Sequence, residues 1–541
     1  MPKTTEATAD SVRREGELPS YVDVAIVGAG FSGIGMAIAL VRASRRNFIV
    51  LDKSDGIGGT WRNHDYPGCA CDTASAIYSY SFPPLADWTR RYGPHAEILA
   101  YLRDCVRVYR LAGHIHTNAA MASATYDEAL GHWRVATRRG VVNARILILG
   151  MGALQAPAFP RIRGLSTFGG DAFHSAAWDH ACDLAGKRVA VIGTGASAAQ
   201  IVPAIAADVD RLYVCQRTAS WVLPKRDRSI PAWERRLFRA LPALARARRY
   251  TEYWRNERLG LGILRPWARR ILEWAALRHL QGQVTDSALR TRLTPDYAIG
   301  CKRILFSDDY YRAFNAPHVE LVDESIEQIT PDGIRTADGT ELPVDTIVYA
   351  TGYHVTDLFW FLKLTGRNGT RIAEIWRNGI ESYLGTAVAG FPNMFLLVGP
   401  NSGLGHNSTI FMIEAQLRYI TRCLDLMDRQ GADTIEVRAE VQADYNRELR
   451  EKLAGSVWEA GGCRSWYVDA DGINRALWPG FSWQYRWRVR RPDPVAFLFS
   501  RIPEDARPPT RTANAADSAS GTEKAPRRAT NLSDGPVRDG K

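Results

Sequence analysis

The run "VDVAIVGAGFSGIGMAIALVRASRRNFIVL", residues 22–51, constrains the fold of this chain more than any other stretch. An apolar run ends in glycine, apolar residues then recur at helical spacing, and a second apolar run ends at Asp52. That succession predicts strand, tight turn, helix and strand. Gly28, Gly30 and Gly33 carry GxGxxG spacing around Phe31 and Ser32. The first glycine permits the tight turn, the second lets a pyrophosphate approach the backbone, and the third lets helix and strand pack closely. Asp52, followed by Lys53, stands where a carboxylate accepts hydrogen bonds from a ribose.

The pattern recurs from Lys187 in "KRVAVIGTGASAAQIVPAIAADVDRLYVCQRT". Its turn reads Gly193-Thr194-Gly195-Ala196-Ser197-Ala198, with alanine tolerated at the packing position. At the end of the following strand the ribose-binding acid is replaced by Arg217, which suits a 2′-phosphate, and Thr218 offers a hydroxyl beside it. This favours NADP over NAD, the plainer alternative being a solvated arginine at a strand end.

Two such units predict an α/β chain with two Rossmann-like dinucleotide-binding domains. A length of 541 residues exceeds what one hydrophobic core usually serves. The expected organisation is a polar extension over 1–19, a first domain over 20–156 and 385–507, and a second over 157–224 and 291–384. A helical insertion at 225–290 interrupts the second domain, and a tail over 508–541 is too poor in apolar residues to offset its ordering entropy.

The net charge is +11, and residues 225–282 hold fifteen Lys/Arg against five Asp/Glu. A basic balance suggests nucleic acid, but here it belongs to one helical stretch that also carries Trp233, Trp254, Trp267 and Trp274. Its arginines read as a solvated helix face and its tryptophans as core. Contact with a membrane surface is the weaker alternative. No apolar run reaches the ~18–20 residues of a membrane span, and the N-terminus lacks a signal-type apolar block, so the expected location is cytoplasmic. Eight scattered cysteines without a CxxC pair read as reduced thiols, and no structural metal is expected.

Residues 168–179, "FGGDAFHSAAWD", fit neither helical nor strand periodicity, yet space Phe168, Gly170, His174, Trp178 and Asp179 as FxGxxxHxxxW(P/D). A second pattern, GxWxxxx(F/Y)P(G/M)xxxD, is met by Gly59, Trp61, Tyr66, Pro67, Gly68 and Asp72. With an FAD-type turn first and an NADP-type turn in mid-chain, residues 20–500 resemble the class B flavoprotein monooxygenases. Trp178 with Asp179 points to their Baeyer–Villiger branch.

The resemblance implies that NADPH reduces FAD and that O2 forms a C4a-peroxyflavin. This attacks a ketone and inserts one oxygen to give an ester or lactone, with sulfoxidation as a side activity. It implies that Thr60 and Tyr78 belong with Gly59 and Trp61 to the FAD site. It also implies that Lys302 grips NADP and that Arg303 is the active-site cation that stabilises the peroxide, held in place by Asp72. Ala350, Thr351 and Gly352 would form a linker between lobes, with His174 governing lobe movement rather than touching substrate. Ketone and O2 would be the small-molecule partners, with no nucleic acid and with a monomer or weak homo-oligomer as the assembly. The rivals are an N- or S-oxygenating flavin monooxygenase, an NADPH-linked reductase and a non-catalytic NADP sensor. Cys69 and Cys71 stand too close together for a redox pair.

Overall fold

The computed structural model describes residues 17–83, 87–355 and 362–503; the expected tail over 508–541 lies outside them. Tyr21–Val27 forms the centre of the first sheet, with Phe48–Leu51 and Gly140–Leu149 parallel on either side. Ala25 and Ile26 are fully buried in the two different apolar clusters that cover the faces of this mixed sheet, so the central strand reads as an unbroken apolar run. Helix Phe31–Arg42 follows the glycine turn and packs against helix Thr409–Arg429 from the far end of the chain. Met394–Leu396 joins the same sheet beside Leu147–Leu149. Leu364–Thr365 adds to its other edge at Ala124, so the chain re-enters this sheet before residue 385.

The second sheet is wholly parallel. Its order runs Val319–Val322, Arg211–Cys215, Arg188–Ile192, Thr346–Tyr349 and Asp171–His174. The aperiodic fingerprint therefore contains a short edge strand, paired from Thr346↔Asp171 to Tyr349↔His174. Four residues at a sheet edge are too few to impose an alternating pattern. Gly170 lets this strand approach: a Cβ there would lie 2.3 Å from the Asp345 carbonyl oxygen.

The basic insertion folds into helices Ala232–Ala240, Pro242–Leu264, Pro266–Gln283 and Ser287–Arg292. Pro242 and Pro266 open two of them at the first turn, where no backbone N–H is needed. The expectation for its tryptophans fails: Trp233 and Trp267 are each 66% exposed and Trp274 59%. The core-facing positions of the third helix are Ala268, Ala276 and Leu280, so its tryptophans lie on the opposite face.

A second correction concerns the cysteines. Cys301 and Cys463 form a disulfide, while the other six remain free and Cys69 and Cys71 are buried thiols. Scattered spacing concealed a pair that meets across 162 residues. In the chain-entropy picture a loop of that length is worth about 5 kcal/mol against the unfolded state. Cys301→Ser with Cys463→Ser is therefore expected to lower Tm by several degrees in non-reducing calorimetry, and reductant is expected to produce the same fall in the unsubstituted protein only.

Candidate active site

Both glycine turns open into one cavity of about 1,600 Å³, larger than the ~300–1,000 Å³ of a single small-ligand pocket. Gly28, Gly30 and Asp52 line one part, Gly193, Gly195 and Arg217 another, and Asp72, Lys302 and Arg303 stand on the walls as well. The close packing of the first turn is extreme at Gly33, where a Cβ would lie 1.7 Å from the Gly28 carbonyl oxygen. At Gly195 a Cβ would meet nothing within 4 Å. That backbone is bare toward the cavity, as a phosphate-binding turn requires.

Asp52 is buried and accepts from Ala29 N at 2.6 Å and from Ser54 N at 2.8 Å. Its carboxylate thus braces the glycine turn as well as lining the cavity, a local contact that the motif's spacing alone does not announce. Lys53 is exposed beside it. Trp61 donates from Nε1 to the Tyr78 hydroxyl at 3.1 Å, and the Phe31 and Tyr78 rings meet edge to face at 5.3 Å. Burial pushes the Tyr78 phenol up, so it remains neutral. Thr60 and Ser32 lie on the same wall.

At the second turn, the Thr194 hydroxyl donates to the Thr218 carbonyl at 2.9 Å, tying the turn to the strand end that carries Arg217. Ala196 and Ser197 complete this wall. Lys302 sits with its ammonium 4.8 Å from the Tyr297 ring centroid. Burial first, and the Arg217 charge second, lower its pKa, while Asp296 acts in the other direction. Two cations that destabilise one another beside a bare glycine turn are suited to a polyanion.

Arg303 and Asp72, 231 residues apart, form a two-pronged pair: Nε to Oδ2 at 3.0 Å and Nη2 to Oδ1 at 2.7 Å. The Asp72 charge holds the Arg303 pKa above its ordinary value against the opposing effect of burial. The Arg303 side chain is 40% accessible, and it lines the cavity. Arg303 is thus a permanent positive charge with a fixed orientation and an open donor face.

The two crossings between sheets lie side by side. Ala158 N donates to Gly352 O at 2.9 Å, Thr351 Oγ1 to Ala158 O at 2.5 Å, and Ala350 N to Ile192 O at 2.9 Å. His174 is buried at the end of its edge strand, its ring 5.6 Å from that of Tyr353, and burial lowers its pKa. His64 hydrogen-bonds the Tyr353 hydroxyl from the first lobe. Phe168 packs with the Ile329 cluster, Trp178 meets Phe173 edge to face at 5.0 Å, and the Asp179 carboxylate caps the Ala181 N–H at 2.9 Å. His174 and Tyr353 therefore sit at the junction of the crossings, while Arg303 and Asp72 occupy the cavity wall.

Several contributors have no signature in the motifs. Gln200 on the second lobe donates to Ala70 O at 2.8 Å and accepts from the Tyr66 hydroxyl at 3.1 Å, docking the first lobe's fingerprint loop. Tyr467 is buried near the Arg303–Asp72 pair, and its phenol is pushed up to about 12, by burial before all else. His406 and Asn407, in the segment "GPNSGLGHNS", line the cavity, and Asn407 Nδ2 donates to the buried Glu257 at 2.7 Å. The disulfide places Cys301 next to Lys302 and Arg303, where it joins their loop to the segment carrying Arg464 and Trp466.

Two dinucleotide-type turns sharing a cavity with a caged arginine define a two-domain flavin monooxygenase, and comparison with known proteins agrees. The flavin-binding monooxygenase-like family model matches residues 22–366. A Baeyer–Villiger monooxygenase of Pseudomonas aeruginosa PAO1 is 44% identical over 89% of this chain and 92% of its own. One from Streptomyces coelicolor is 42% identical over 88% and 92%. Among solved structures, oxidised steroid monooxygenase bound to NADP superposes with a TM-score of 0.80 at 31% identity, covering 89% of this chain and all of the other. OTEMO with FAD and NADP gives 0.79 at 26%, over 88% and 99%. The chain belongs to the flavin-binding monooxygenase-like family and, within it, to the Baeyer–Villiger monooxygenases.

Proposed function

We propose that this Baeyer–Villiger monooxygenase acts on a ketone, with FAD at the first glycine turn, NADPH at the second and Arg303 as its catalytic cation. FAD supplies the redox and oxygen-activating chemistry when bound. The chain's own residues bind, orient and polarise. Gly28, Gly30, Gly33, Asp52 and the Gly59–Trp61 segment hold the flavin nucleotide. Gly193, Gly195, Arg217, Thr218 and Lys302 hold the nicotinamide nucleotide by its phosphates. Arg303 donates to the oxygen on which negative charge develops, and a unit charge at ~4 Å in a partly desolvated site is worth about 4 kcal/mol. Asp72 keeps that guanidinium from swinging away, a positioning role.

The observation that carries this reading is the two-pronged Arg303–Asp72 pair on the wall shared by both turns. We place the enzyme in the cytoplasm, as a monomer or weak homo-oligomer that needs no nucleic acid. The test is NADPH consumption by the purified yellow protein with phenylacetone or 2-decanone, with esters measured by gas chromatography. One ester per NADPH is the expected result. Hydrogen peroxide in place of ester for every ketone tried would leave an oxidase, and sulfoxides alone would leave a heteroatom oxygenase.

Arg217 carries a separate expectation. A charge-assisted hydrogen bond is worth about 1.5–3 kcal/mol, so Arg217→Ala is expected to raise KM for NADPH roughly 10- to 100-fold with little change for NADH. Equal effects on both coenzymes would remove Arg217 from the 2′-phosphate.

A further inference from the structure

Among the described residues, nothing covers the outer face of the helical insertion. In helix Pro266–Gln283, Trp267, Ile271 and Trp274 recur at i, i+4 and i+7 and are each at least 59% exposed. Trp233, Leu237, Leu241 and Leu244, in the two preceding helices and the link between them, are further exposed apolar residues. Isolated surface apolar residues need no explanation, but contiguous ones mark an interaction site.

The acids and several arginines of the same segment differ in their pairing. All five acids are engaged: Asp227 with Arg90, Glu234 with Arg228 and Arg248, Glu252 with Arg91 and Arg255, Glu257 with Asn407, and Glu273 with the Ile299 N–H. Arg236, Arg246, Arg258, Arg265 and Arg270 are exposed and form no ion pair among the described residues. Arg278 lies over the Trp274 ring at 5.3 Å to its centroid. The outward field is therefore positive around an apolar aromatic stripe.

We propose that this face docks the enzyme on an anionic lipid bilayer. Tryptophan and arginine suit the headgroup region, where a ring is apolar on its body and polar at its N–H and where anionic lipids concentrate cations. Leucine and isoleucine in the stripe reach the acyl boundary and would serve no purpose on a nucleic-acid backbone. A second copy of the same face would bring like charges together. A recess of about 680 Å³ is lined by Arg265 and Pro266 at the start of the same helix and by Trp458, Trp478, Phe481 and Trp487, with Arg269, Lys452 and Arg488 among its polar residues. Among the described residues no helix is long and apolar enough to cross a membrane, so the contact is peripheral.

The test is co-sedimentation of the full-length holoenzyme with phosphatidylcholine vesicles and with phosphatidylcholine–phosphatidylglycerol vesicles. The protein is expected to pellet with the anionic vesicles only, with a blue shift in tryptophan emission and release by salt. Trp267→Ala with Trp274→Ala, and separately Arg265→Glu with Arg270→Glu, are expected to weaken partitioning at least about tenfold while ester-forming turnover in detergent-free buffer is unchanged. Absence of vesicle binding overturns the proposal. So does a dimer in sedimentation velocity that the tryptophan substitutions abolish, which would make the occupant a second copy. Vesicle binding that survives those substitutions and yields to heparin would reduce the face to a general polyanion site, and also overturns it.

Discussion

Arg303→Ala is expected to lower ester formation by about 10²- to 10³-fold, the usual cost of removing one preorganised donor from a developing oxyanion, while NADPH still reduces the flavin. The loss should appear as uncoupling, with NADPH consumed and hydrogen peroxide released in place of ester. Arg303→Lys should not rescue it, because an ammonium cannot meet both Asp72 oxygens as Nε and Nη2 do at 3.0 and 2.7 Å. Asp72→Asn keeps the shape and removes the charge that raises the Arg303 pKa. Its effect should be smaller and of the same kind, an increase in peroxide per ester. Parallel assays of NADPH, peroxide and ester decide the matter. Unchanged ester yield in Arg303→Ala would transfer the catalytic charge to another group on the cavity wall.

The strength of this pair comes from its setting. A surface ion pair contributes little, since water screens both partners and the side chains lose freedom to meet. Asp72 is only 15% exposed, and Arg303 lines the cavity. Removing one partner therefore leaves the other poorly solvated, so the alanine variant is also expected to lose some thermal stability. Fluorescence of the bound flavin on heating separates that loss from the kinetic one.

What could be read from the chain followed the range of the interactions. The glycine turns were legible because strand, turn and helix are set by neighbours within about thirty residues, and Gly28, Gly33 and Asp52 all lie inside one such unit. Arg303 and Asp72, 231 residues apart, could be paired only through the family resemblance, since the local pattern that ends at Asp72 does not reach Arg303. Gln200, which docks the Tyr66–Ala70 loop, lies on an ordinary amphipathic helix and nothing in its spacing marks it. Cys301 and Cys463 misled for the same reason. The insertion failed differently: a helix with Ala268, Ala276 and Leu280 on one side and Trp267, Ile271 and Trp274 on the other is apolar on both faces, and periodicity cannot tell which of them the rest of the chain covers.

The first glycine turn separates packing from binding, and the second large effect expected lies there. Gly33→Ala places a methyl group 1.7 Å from the Gly28 carbonyl oxygen and 3.3 Å from Ile26 Cγ2. Neither can retreat, because Gly28 is held by its N–H to Leu51 O at 2.7 Å and Ile26 is fully buried in the central strand. The helix must shift from the sheet, at a cost typical of overpacked cores, about 1–3 kcal/mol or more, and the turn proposed to cradle the flavin phosphates is distorted with it. Gly30→Ala meets only the Gly59 backbone, Cα at 3.6 Å and N at 4.0 Å, ordinary contacts. Its methyl group instead points into the cavity, where the pyrophosphate would approach. Gly33→Ala is thus expected to give protein with a lowered Tm even before flavin is added, and Gly30→Ala a protein of nearly normal apo stability that retains little yellow colour. Calorimetry of the flavin-stripped variants, followed by FAD titration, distinguishes them. Full FAD binding by Gly30→Ala would place the flavin pyrophosphate away from this turn.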